Sequence, residues 1–249
     1  MADLTDLGNV IRGGERIVFF GGAGVSTESG IPDFRSADGL YSQQTGETYP
    51  PEFMLSHTAW ETIPEEFYTF YRTNLIWPEA RPNPAHQAMA WLEERGRSLG
   101  VITQNIDGLH QMAGSTRVVE LHGSVHRNYC VRCHSFFDVD FIHDSNQVPT
   151  CECGGTVKPD VVLYEEGLSS EAINTAITMI QQADVLVVCG TSLTVYPAAG
   201  LINYFRGDSL VLINRDPTGY DGQASIIVHD AVGKVLDQIV TSMKADERY

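Results

Sequence analysis

The chain has 249 residues, 43% of them apolar, and its 32 acidic residues outnumber its 16 basic ones. This length predicts one large domain, or one domain carrying a smaller insertion, around a real hydrophobic core. The net charge of −16 argues against general binding to nucleic-acid phosphates, for which proteins usually present a basic face. The charge serves either solubility or the attraction of basic protein substrates.

The N-terminal sequence shows neither a basic nor an apolar signal region, and no apolar run approaches the ~20 residues of a membrane span. We therefore expect a cytoplasmic protein that makes no contact with a membrane or with nucleic acid. We expect it to be a monomer.

Short apolar runs rich in β-branched residues recur along the chain, each bounded by turn residues. They lack polar alternation, which is typical of strands buried on both faces of a parallel sheet. The predicted strands are 16–20, 100–103, 184–190, 209–214 and 225–228, and the predicted helices between them are 84–96, 171–183, 197–207 and 231–244. Alternating strands and helices predict an α/β fold, a Rossmann-like doubly wound parallel sheet.

Two segments interrupt this alternation and predict a second, smaller domain. Residues 37–81 are rich in aromatics and proline and include a helical stretch at 64–77, while residues 124–159 contain paired cysteines among polar turns. We therefore expect a helical part (37–81) and a ribbon part (124–159) of a small domain. The Rossmann-like domain then comprises residues 1–36, 82–123 and 160–249.

The first predicted strand ends in Gly21-Gly22-Ala23-Gly24, a turn that lets the backbone approach a phosphate at the next helix N-terminus. A glycine-rich turn without a ligand would look the same. A hydride-transfer domain would place an acidic residue about twenty residues later, after a second strand, whereas here no strand precedes that region, residues 40–50. Instead Asp33-Phe34-Arg35 offers an aromatic ring and a cation.

Polar residues follow two other predicted strands. Gln104, Asn105 and Asp107 come directly after one strand, at the carboxyl end where open α/β sheets bind ligands, although such residues also cap turns. His122 follows a short apolar run, and its ordinary pKa of about 6.5 suits a general base, although a lone histidine is more often structural.

Four of the five cysteines form the pairs Cys130-x-x-Cys133 and Cys151-x-Cys153, which seventeen residues separate. This spacing predicts a structural zinc ribbon, because four thiolates fill a tetrahedral site and leave no position for water. Gly154 and Gly155 can supply the sharp turn that the tighter second pair requires. The fifth cysteine, Cys189, ends an apolar run and is predicted to be a buried core thiol.

Several spaced motifs occur in one order along nearly the whole chain. They are GAGVSTESGIPDFR (22–35), TQNIDGLH (103–110), ELHG (120–123), the cysteine pairs, KPDVVLYEE (158–166), GTSLTVYPAAGL (190–201) and INRDPT (213–218). Together they resemble the sirtuin family of NAD-dependent protein deacylases, and the chain is most similar to its short bacterial members. The resemblance implies NAD as a co-substrate and structural zinc.

The resemblance also implies a reaction in which NAD is consumed. The acyl-lysine carbonyl oxygen attacks the ribose carbon that carries nicotinamide, nicotinamide leaves, and the acyl group ends on ADP-ribose. The resemblance implies that the catalytic residues are His122, as general base, and Asn105. The implied cofactor contacts are Gly22, Ala23, Gly24, Thr27, Asp33, Phe34 and Arg35 for the phosphates and the reactive ribose; Gln104, Asn105, Ile106 and Asp107 for ribose and nicotinamide; and Gly190, Thr191, Ser192, Asn214, Arg215 and Ala231 for adenosine.

The resemblance further implies an exposed extended segment that pairs with an acetyl-lysine protein as an added strand. Its residues are Val161, Val162, Leu163 and Tyr164. Nearby carboxylates could favour basic substrates or simply be solvated, and they belong to Asp160, Glu165 and Glu166.

Members that prefer acidic acyl groups carry a Tyr-x-x-Arg pair, whereas this chain has Tyr68-x-x-Tyr71 with Arg72 one place later. One residue rotates a helix position by about a hundred degrees, so Arg72 is predicted to point elsewhere. This favours acetyl or neutral acyl groups, and Tyr68 and Tyr71 are predicted either to contact substrate or to pack the helix.

We therefore expect an NAD-dependent protein-lysine deacetylase, a transferase of the acyl group to ADP-ribose. One alternative is a mono-ADP-ribosyltransferase that uses the same activation of NAD. Another is a non-catalytic NAD-sensing scaffold, although a protein that only binds NAD needs no general base.

Overall fold

The computed structural model describes residues 4–34, 36, 39–42 and 49–246. The strands are β1 (Ile17–Gly21), β2 (Ser98–Thr103), β3 (Val118–Glu120), β4 (Gly123–Cys130), β5 (Phe136–Phe137), β6 (Val157–Val161), β7 (Val185–Cys189), β8 (Ser209–Ile213) and β9 (Ile226–Val228). The helices are α1 (Leu4–Gly13), α2 (Pro51–Met54), α3 (His57–Thr62), α4 (Pro64–Leu75), α5 (Pro84–Glu94), α6 (Leu109–Met112), α7 (Val139–His143), α8 (Ser170–Gln182) and α9 (Val232–Asp246).

The larger sheet has six parallel strands in the order β3-β2-β1-β7-β8-β9. Strand β1 is buried on both faces, because Ile17 and Phe19 pack into one apolar core while Val18 and Phe20 pack into another. The absence of polar alternation therefore predicted this sheet correctly. The predicted Rossmann-like fold is confirmed, and each predicted strand lies within two residues of its observed bounds.

Helices α1, α5 and α9 cover one face of this sheet, and α8 covers the other. Helix α1 is not among the predicted helices. The predicted helix at 197–207 is instead a 3₁₀ helix from Ala198 to Tyr204, with Gly200 at its centre, where glycine disfavours an α-helix.

The smaller sheet is antiparallel, in the order β5-β4-β6, and helices α2, α3 and α4 pack against it. We call residues 49–81 and 124–163 the small lobe and the remaining described residues the large lobe. The core of the small lobe is aromatic, since Phe67, Tyr68, Phe70 and Tyr71 of α4 are each no more than 1% exposed.

The order of the large sheet reverses between β1 and β7, which lie side by side but are far apart in sequence. In open α/β sheets ligands bind beside such a switch point, at the carboxyl ends of the strands. The glycine loop follows β1 and Gly190 follows β7, so both lie there. No helix in the described part of the chain is both long and apolar enough to cross a membrane.

Candidate active site

The glycine loop packs directly on the turn that follows β7. The N–H of Gly24 donates to the Gly190 carbonyl at 2.8 Å, and a Cβ on Gly22 would lie 2.7 Å from the Thr191 Cβ. Gly190 itself has a φ of 58°, and a Cβ there would lie 2.4 Å from the Val25 nitrogen. These glycines are required by the close approach of two loops, in addition to any approach of a phosphate.

Two short 3₁₀ turns, Ala23–Val25 and Thr27–Ser29, follow the loop in place of the predicted helix. They end at Gly30, whose φ of 85° suits glycine. The Thr27 hydroxyl donates to the Gly24 carbonyl at 3.1 Å and so braces the first turn. The glycine loop is therefore followed by two short turns and not by a long helix whose dipole would point at it.

A serine that the motif reading did not single out joins the glycine loop to the turn after β2. The Ser26 hydroxyl donates to Asp107 Oδ2 at 2.6 Å and accepts from Asn105 Nδ2 at 3.0 Å. Ser26 is 1% exposed. The signal that could have found it is its position inside the glycine-rich motif, opposite two polar residues at a neighbouring strand end.

His122 follows β3 and is half-buried in the wall of the cleft. Its Nδ1 lies 2.9 Å from the Gln104 carbonyl oxygen, which can only accept, so Nδ1 carries the proton and Nε2 is the basic nitrogen. Burial lowers the pKa of His122, and the bond to Gln104 opposes that shift. The imidazole is therefore neutral at pH 7 and able to take a proton at Nε2.

The cleft between the lobes has a volume of about 460 Å³. Predicted site residues that line it are Gly22, Ala23, Gly24, Asp33, Phe34, Gln104, Asn105, Ile106, Asp107, His122, Val161, Val162, Leu163, Tyr164, Gly190, Thr191, Ser192 and Asn214. The tertiary structure therefore brings together motifs from six distant parts of the sequence.

Three predicted cofactor residues are not among the described residues that line the cleft: Thr27, Arg215 and Ala231. Thr27 braces the glycine loop, Arg215 is exposed, and Ala231 precedes α9, where its N–H bonds to Asp230 Oδ1 at 2.8 Å. Arg35 lies outside the described residues.

Phe34 faces the cleft from the loop after the glycine turns. Its carbonyl accepts from the Tyr41 N–H at 2.9 Å, and the two rings pack edge to face with centroids 5.5 Å apart. The Tyr41 hydroxyl lies 2.6 Å from that of Tyr164, across the cleft. An apolar ring held in this way can exclude water from a reactive group beside it.

Part of the cleft lining was not predicted from the sequence. Trp77 and Leu55 enter from the small lobe, Val195 and Tyr196 follow the Gly190 turn, and Asp216 and Pro217 follow Asn214. Tyr196 is 67% exposed. Single apolar residues in loops carry no periodic signal, so only the folded chain shows that they converge.

The four paired cysteines gather at one end of the small lobe, with all four Sγ atoms within 4.8 Å of one another. Cys130 and Cys153 have sulfurs 3.4 Å apart, and those of Cys133 and Cys151 are 3.6 Å apart. Tetrahedral zinc with bonds of ~2.3 Å requires sulfurs about 3.8 Å apart, so the set fits this metal. Gly154, with a φ of 82°, makes the predicted sharp turn.

Cys189, the last residue of β7, is fully buried, as predicted. His126 and His134 are not members of the cysteine cluster among the described residues. His126 Nε2 instead bonds to the Asp107 carbonyl at 3.0 Å.

The predicted substrate segment is extended but not fully exposed, which corrects one expectation. Val161 is 8% and Leu163 is 4% exposed, because both pack into the small-lobe core, whereas Tyr164 is 37% exposed. The N–H of Val162 bonds to the His122 carbonyl, and Tyr164 pairs with Leu55 and His57. Much of this backbone is thus already paired within the protein.

Each of the three nearby carboxylates forms an ion pair or accepts hydrogen bonds within the protein. Asp160 pairs with Arg127 at 2.8 Å, and Glu165 accepts from the Thr58 N–H and hydroxyl at 2.9 and 2.7 Å. Glu166 lies 2.7 Å from His57 Nδ1 and 3.1 Å from Lys158 Nζ. Asp160 and Glu165 are nevertheless exposed, so solvation and the attraction of basic substrates both remain predictions.

Tyr68 and Tyr71 are both 0% exposed and are not among the described residues that line the cleft. The Tyr68 hydroxyl donates to the Val157 carbonyl at 2.7 Å and accepts from Trp60 Nε1 at 2.9 Å. The structure therefore shows the packing alternative, since a buried ring cannot meet a substrate. Arg72 is not among the described residues that line the cleft either, and its Nη1 bonds to the Gln147 carbonyl at 3.1 Å.

The glycine loop and the half-buried basic His122 line one cleft beside the switch point of a Rossmann-like sheet, an arrangement typical of nucleotide-dependent enzymes. The model of the Sir2 family matches residues 22–197. This match spans more than half of the chain, and the protein belongs to the Sir2 family.

Relatives support this assignment across nearly the whole length. An NAD-dependent protein deacetylase of Clostridium perfringens is 57% identical over 239 residues, which are 95% of this chain and 98% of the relative. A solved structure of Sir2 with a p53 peptide and NAD+ has a TM-score of 0.84 and 36% identity, and the match covers 98% of this chain and 99% of that one. Another, of Sir2 with a deacetylated p53 peptide and 3′-O-acetyl ADP ribose, has a TM-score of 0.87 and 36% identity, covering 96% and 98%.

Proposed function

We propose that the protein is an NAD-dependent protein-lysine deacetylase that transfers the acetyl group to ADP-ribose and releases nicotinamide. The observation that carries this proposal is His122, whose Nε2 is the basic nitrogen and which lines the cleft with the glycine loop and the substrate segment. Relatives named as deacetylases and the Sir2 structure with an acetyl ADP ribose support the same reaction.

His122 supplies the proton transfer. With Nδ1–H fixed on the Gln104 carbonyl, Nε2 would take a proton from a ribose hydroxyl of bound NAD. The ribose oxygen is thereby activated for attack on the carbon of the acyl group that is transferred. NAD, when bound, supplies the ribose carbon at which nicotinamide is displaced. Phe34 shields this carbon from water, and Asn105 and Gln104 orient the ribose.

The remaining binding roles follow the walls of the cleft. The N–H of Ala23 is available to a phosphate, whereas that of Gly24 is bonded to the Gly190 carbonyl, and Ile106 and Asp107 hold the carboxamide of nicotinamide. The Gly190–Ser192 turn and Asn214 hold adenosine. We assign no direct cofactor contact to Arg215 or Ala231, because both lie off the cleft wall.

The four cysteines hold a zinc ion that is structural. All four positions of a tetrahedron are filled by sulfur, so the metal organises the small lobe and leaves catalysis to the cleft. We propose that the small domain comprises residues 37–81 and 124–163 rather than ending at 159, because Val161 and Leu163 belong to its separate apolar core.

The substrate is an acetyl-lysine protein that docks against residues 162–168. The backbone N–H of Gly167 has no partner among the described residues, so an added strand can pair there, beyond the turn at Glu165, whose φ is 77°. Since Tyr68 and Tyr71 are buried and Arg72 is not among the described residues that line the cleft, no cation meets an acidic acyl group from α4. We further propose that the protein acts in the cytoplasm as a monomer.

The test is mass spectrometry of an acetyl-lysine peptide incubated with the purified protein, with and without NAD. NAD-dependent loss of acetyl, with equal amounts of nicotinamide and O-acetyl-ADP-ribose, is expected. His122→Ala should lower the rate by about 10² to 10⁴. An unchanged peptide, or ADP-ribose attached to protein, would overturn the proposal, and the second result would identify a mono-ADP-ribosyltransferase.

A further inference from the structure

Two histidines are buried behind the cleft without contributing to its wall. His86, in the first turn of α5, is 0% exposed, and His110, in α6, is 1% exposed. Their rings are in contact, with centroids 4.7 Å apart and planes inclined by 58°. Three of their four ring nitrogens, His86 Nε2 and both of His110, have no hydrogen-bond partner among the described residues.

The protonation of His86 follows from its one bond. The backbone N–H of Asn83 donates to His86 Nδ1 at 3.3 Å, so Nδ1 accepts and the ring proton is on Nε2. Burial lowers the pKa of His86 to about 4 and that of His110 to about 3, so both rings are neutral at pH 7. His86 Nε2–H is therefore a buried donor that faces a ring with an available acceptor.

Each histidine is attached to one half of the proposed NAD site. On the α5 side, Asn83 Nδ2 donates to the Val25 carbonyl at 2.7 Å and to Ser29 Oγ at 3.0 Å, which braces both 3₁₀ turns of the glycine loop. On the α6 side, the N–H of Leu109, next to His110, donates to Asp107 Oδ1 at 2.9 Å.

These two halves already meet at the cleft, where Ser26 bonds to both Asn105 and Asp107. A circuit of hydrogen bonds therefore runs from Ser26 along the chain to Val25, through Asn83 to His86, and back from His110 through Leu109 to Asp107. The steps from Ser26 to Val25 and from His110 to Leu109 are covalent, and among the described residues the contact between the two imidazoles is the one link that is neither covalent nor a hydrogen bond.

We propose that one enclosed water, which accepts from His86 Nε2–H and donates to the His110 ring, closes this circuit, because the two rings make no direct hydrogen bond among the described residues. The pair then acts as a positioning element that holds Asn105 and Asp107 in register with the glycine loop. This inference rests on the proposed function, because it gives those two residues the task of orienting NAD.

The cost of burying the polar ring nitrogens of His86 and His110 favours a role for this pair beyond packing. A buried polar atom without a partner costs about 1–3 kcal/mol, and an apolar ring of similar shape would avoid that cost. A pair kept only for stability would be better replaced by phenylalanine or leucine. A pair kept to orient the site should instead show a loss of activity that does not accompany a loss of stability.

The experiment compares His110→Phe, His86→Asn and His86→Gln. Asparagine can keep the acceptor for the Asn83 N–H but loses the donor at Nε2, whereas glutamine places an amide near Nε2. We expect His110→Phe to unfold at a urea concentration close to that of the wild type, because an apolar ring of similar shape replaces the imidazole, whereas His86→Asn leaves a cavity and should unfold earlier. Their kcat/KM for NAD should fall about tenfold to hundredfold, with an unchanged KM for the acetyl peptide.

His86→Gln should recover part of the kcat/KM for NAD, and it can keep the capping box at the start of α5, since glutamine is favoured at this third helical position. Met89→Leu, a volume-conserving change in the core face of the same helix, is the control and should leave the NAD kinetics unchanged. Unchanged NAD kinetics in His110→Phe, or a loss that parallels lower stability and a higher peptide KM, would overturn the inference.

Calorimetric titration with NAD separates this inference from the proposed function. If the wild type binds NAD and the variants bind it about tenfold more weakly, the positioning role holds even where no acetyl group is removed. If the wild type deacetylates and all variants bind NAD with the wild-type Kd, the positioning role fails and the proposed function stands.

Discussion

The two lobes reach stability by different means. The large lobe buries aliphatic residues on both faces of a six-stranded parallel sheet. The small lobe has a three-stranded sheet, one aromatic helix and four cysteines that can bind a metal. Small units bury too little surface to be stable on apolar packing alone and often depend on metals. We therefore expect the large lobe, which carries most of the proposed NAD site, to fold without metal. We expect the fold of the small lobe, which completes the cleft, to depend on metal binding.

Removing zinc should produce the largest difference between the lobes. A strong chelator, or Cys153→Ser, removes a metal whose binding to a four-cysteine site contributes about 10 kcal/mol or more. We expect the small lobe to lose its fold and deacetylation to cease, while the large lobe keeps its far-ultraviolet circular dichroism. Metal content and circular dichroism on one sample measure both effects.

Cys189→Ala is the matched control, since this thiol is buried in the large lobe outside the cluster. It should retain zinc and activity at a cost of about 1 kcal/mol in stability. A zinc-free protein with full activity would show that the small lobe does not depend on the metal.

The pH dependence of catalysis should reflect the large lobe, which carries His122. Burial disfavours the charged imidazole and lowers its pKa, so the base stays neutral at pH values more acidic than its ordinary 6.5. We expect the acid limb of kcat/KM for NAD to lie below pH 6.5, with activity falling only as the pH drops through the lowered pKa.

The acid limb of kcat/KM for NAD is measured with saturating peptide from about pH 5 to pH 8, the range in which a histidine side chain changes its charge. His143→Gln changes an exposed histidine of the small lobe and should leave the limb in place. A midpoint at or above 6.5 would contradict the assignment of His122 as the base.

The two buried tyrosines of α4 provide a smaller, matched comparison within the small lobe. Tyr68→Phe leaves the Trp60 N–H and the Val157 carbonyl without their shared partner and should cost about 1–3 kcal/mol. The Tyr71 hydroxyl has no partner among the described residues, so Tyr71→Phe should change stability by less than about 0.5 kcal/mol or increase it.

Urea unfolding midpoints measure this difference, and rates on acetyl and succinyl peptides test the role in substrate choice. Neither variant should alter the ratio of the two rates, because both rings are buried. A changed ratio in Tyr71→Phe would restore the substrate-contact alternative.

The smallest expected effect concerns His57, which joins α3 to the substrate segment. Its bond to Glu166 is the main reason that its pKa is raised. Because the folded state favours the charged form, the bond contributes fully below pH 6.5, and its contribution is lost as the pH rises through the raised pKa. Salt should weaken it, since His57 is 38% exposed.

The difference in urea midpoint between wild type and His57→Gln should therefore be larger at pH 6 than at pH 9. It should also shrink in high salt. An equal difference at both pH values would show that the contact between His57 and Glu166 carries no titrating charge.

The sequence was informative where one physical rule acts locally. Unbroken apolar runs predicted the strands of the parallel sheet because such strands are buried on both faces. The cysteine spacing predicted the cluster because the ligands of a ribbon lie in two short turns. It was less informative for the 3₁₀ helix after Pro197 and for Val161 and Leu163, whose burial depends on what packs against them.

What the sequence by itself determined was the set of chemical groups: a glycine loop, a polar strand end, a histidine and four thiols. Only the tertiary structure decided their roles. It showed that Nε2 of His122 is the basic nitrogen, that Ser26 joins Asn105 to Asp107, and that Tyr71 is buried. Each of these depends on a partner far away in the chain, and contacts between distant residues arise only when the two lobes pack around their separate cores.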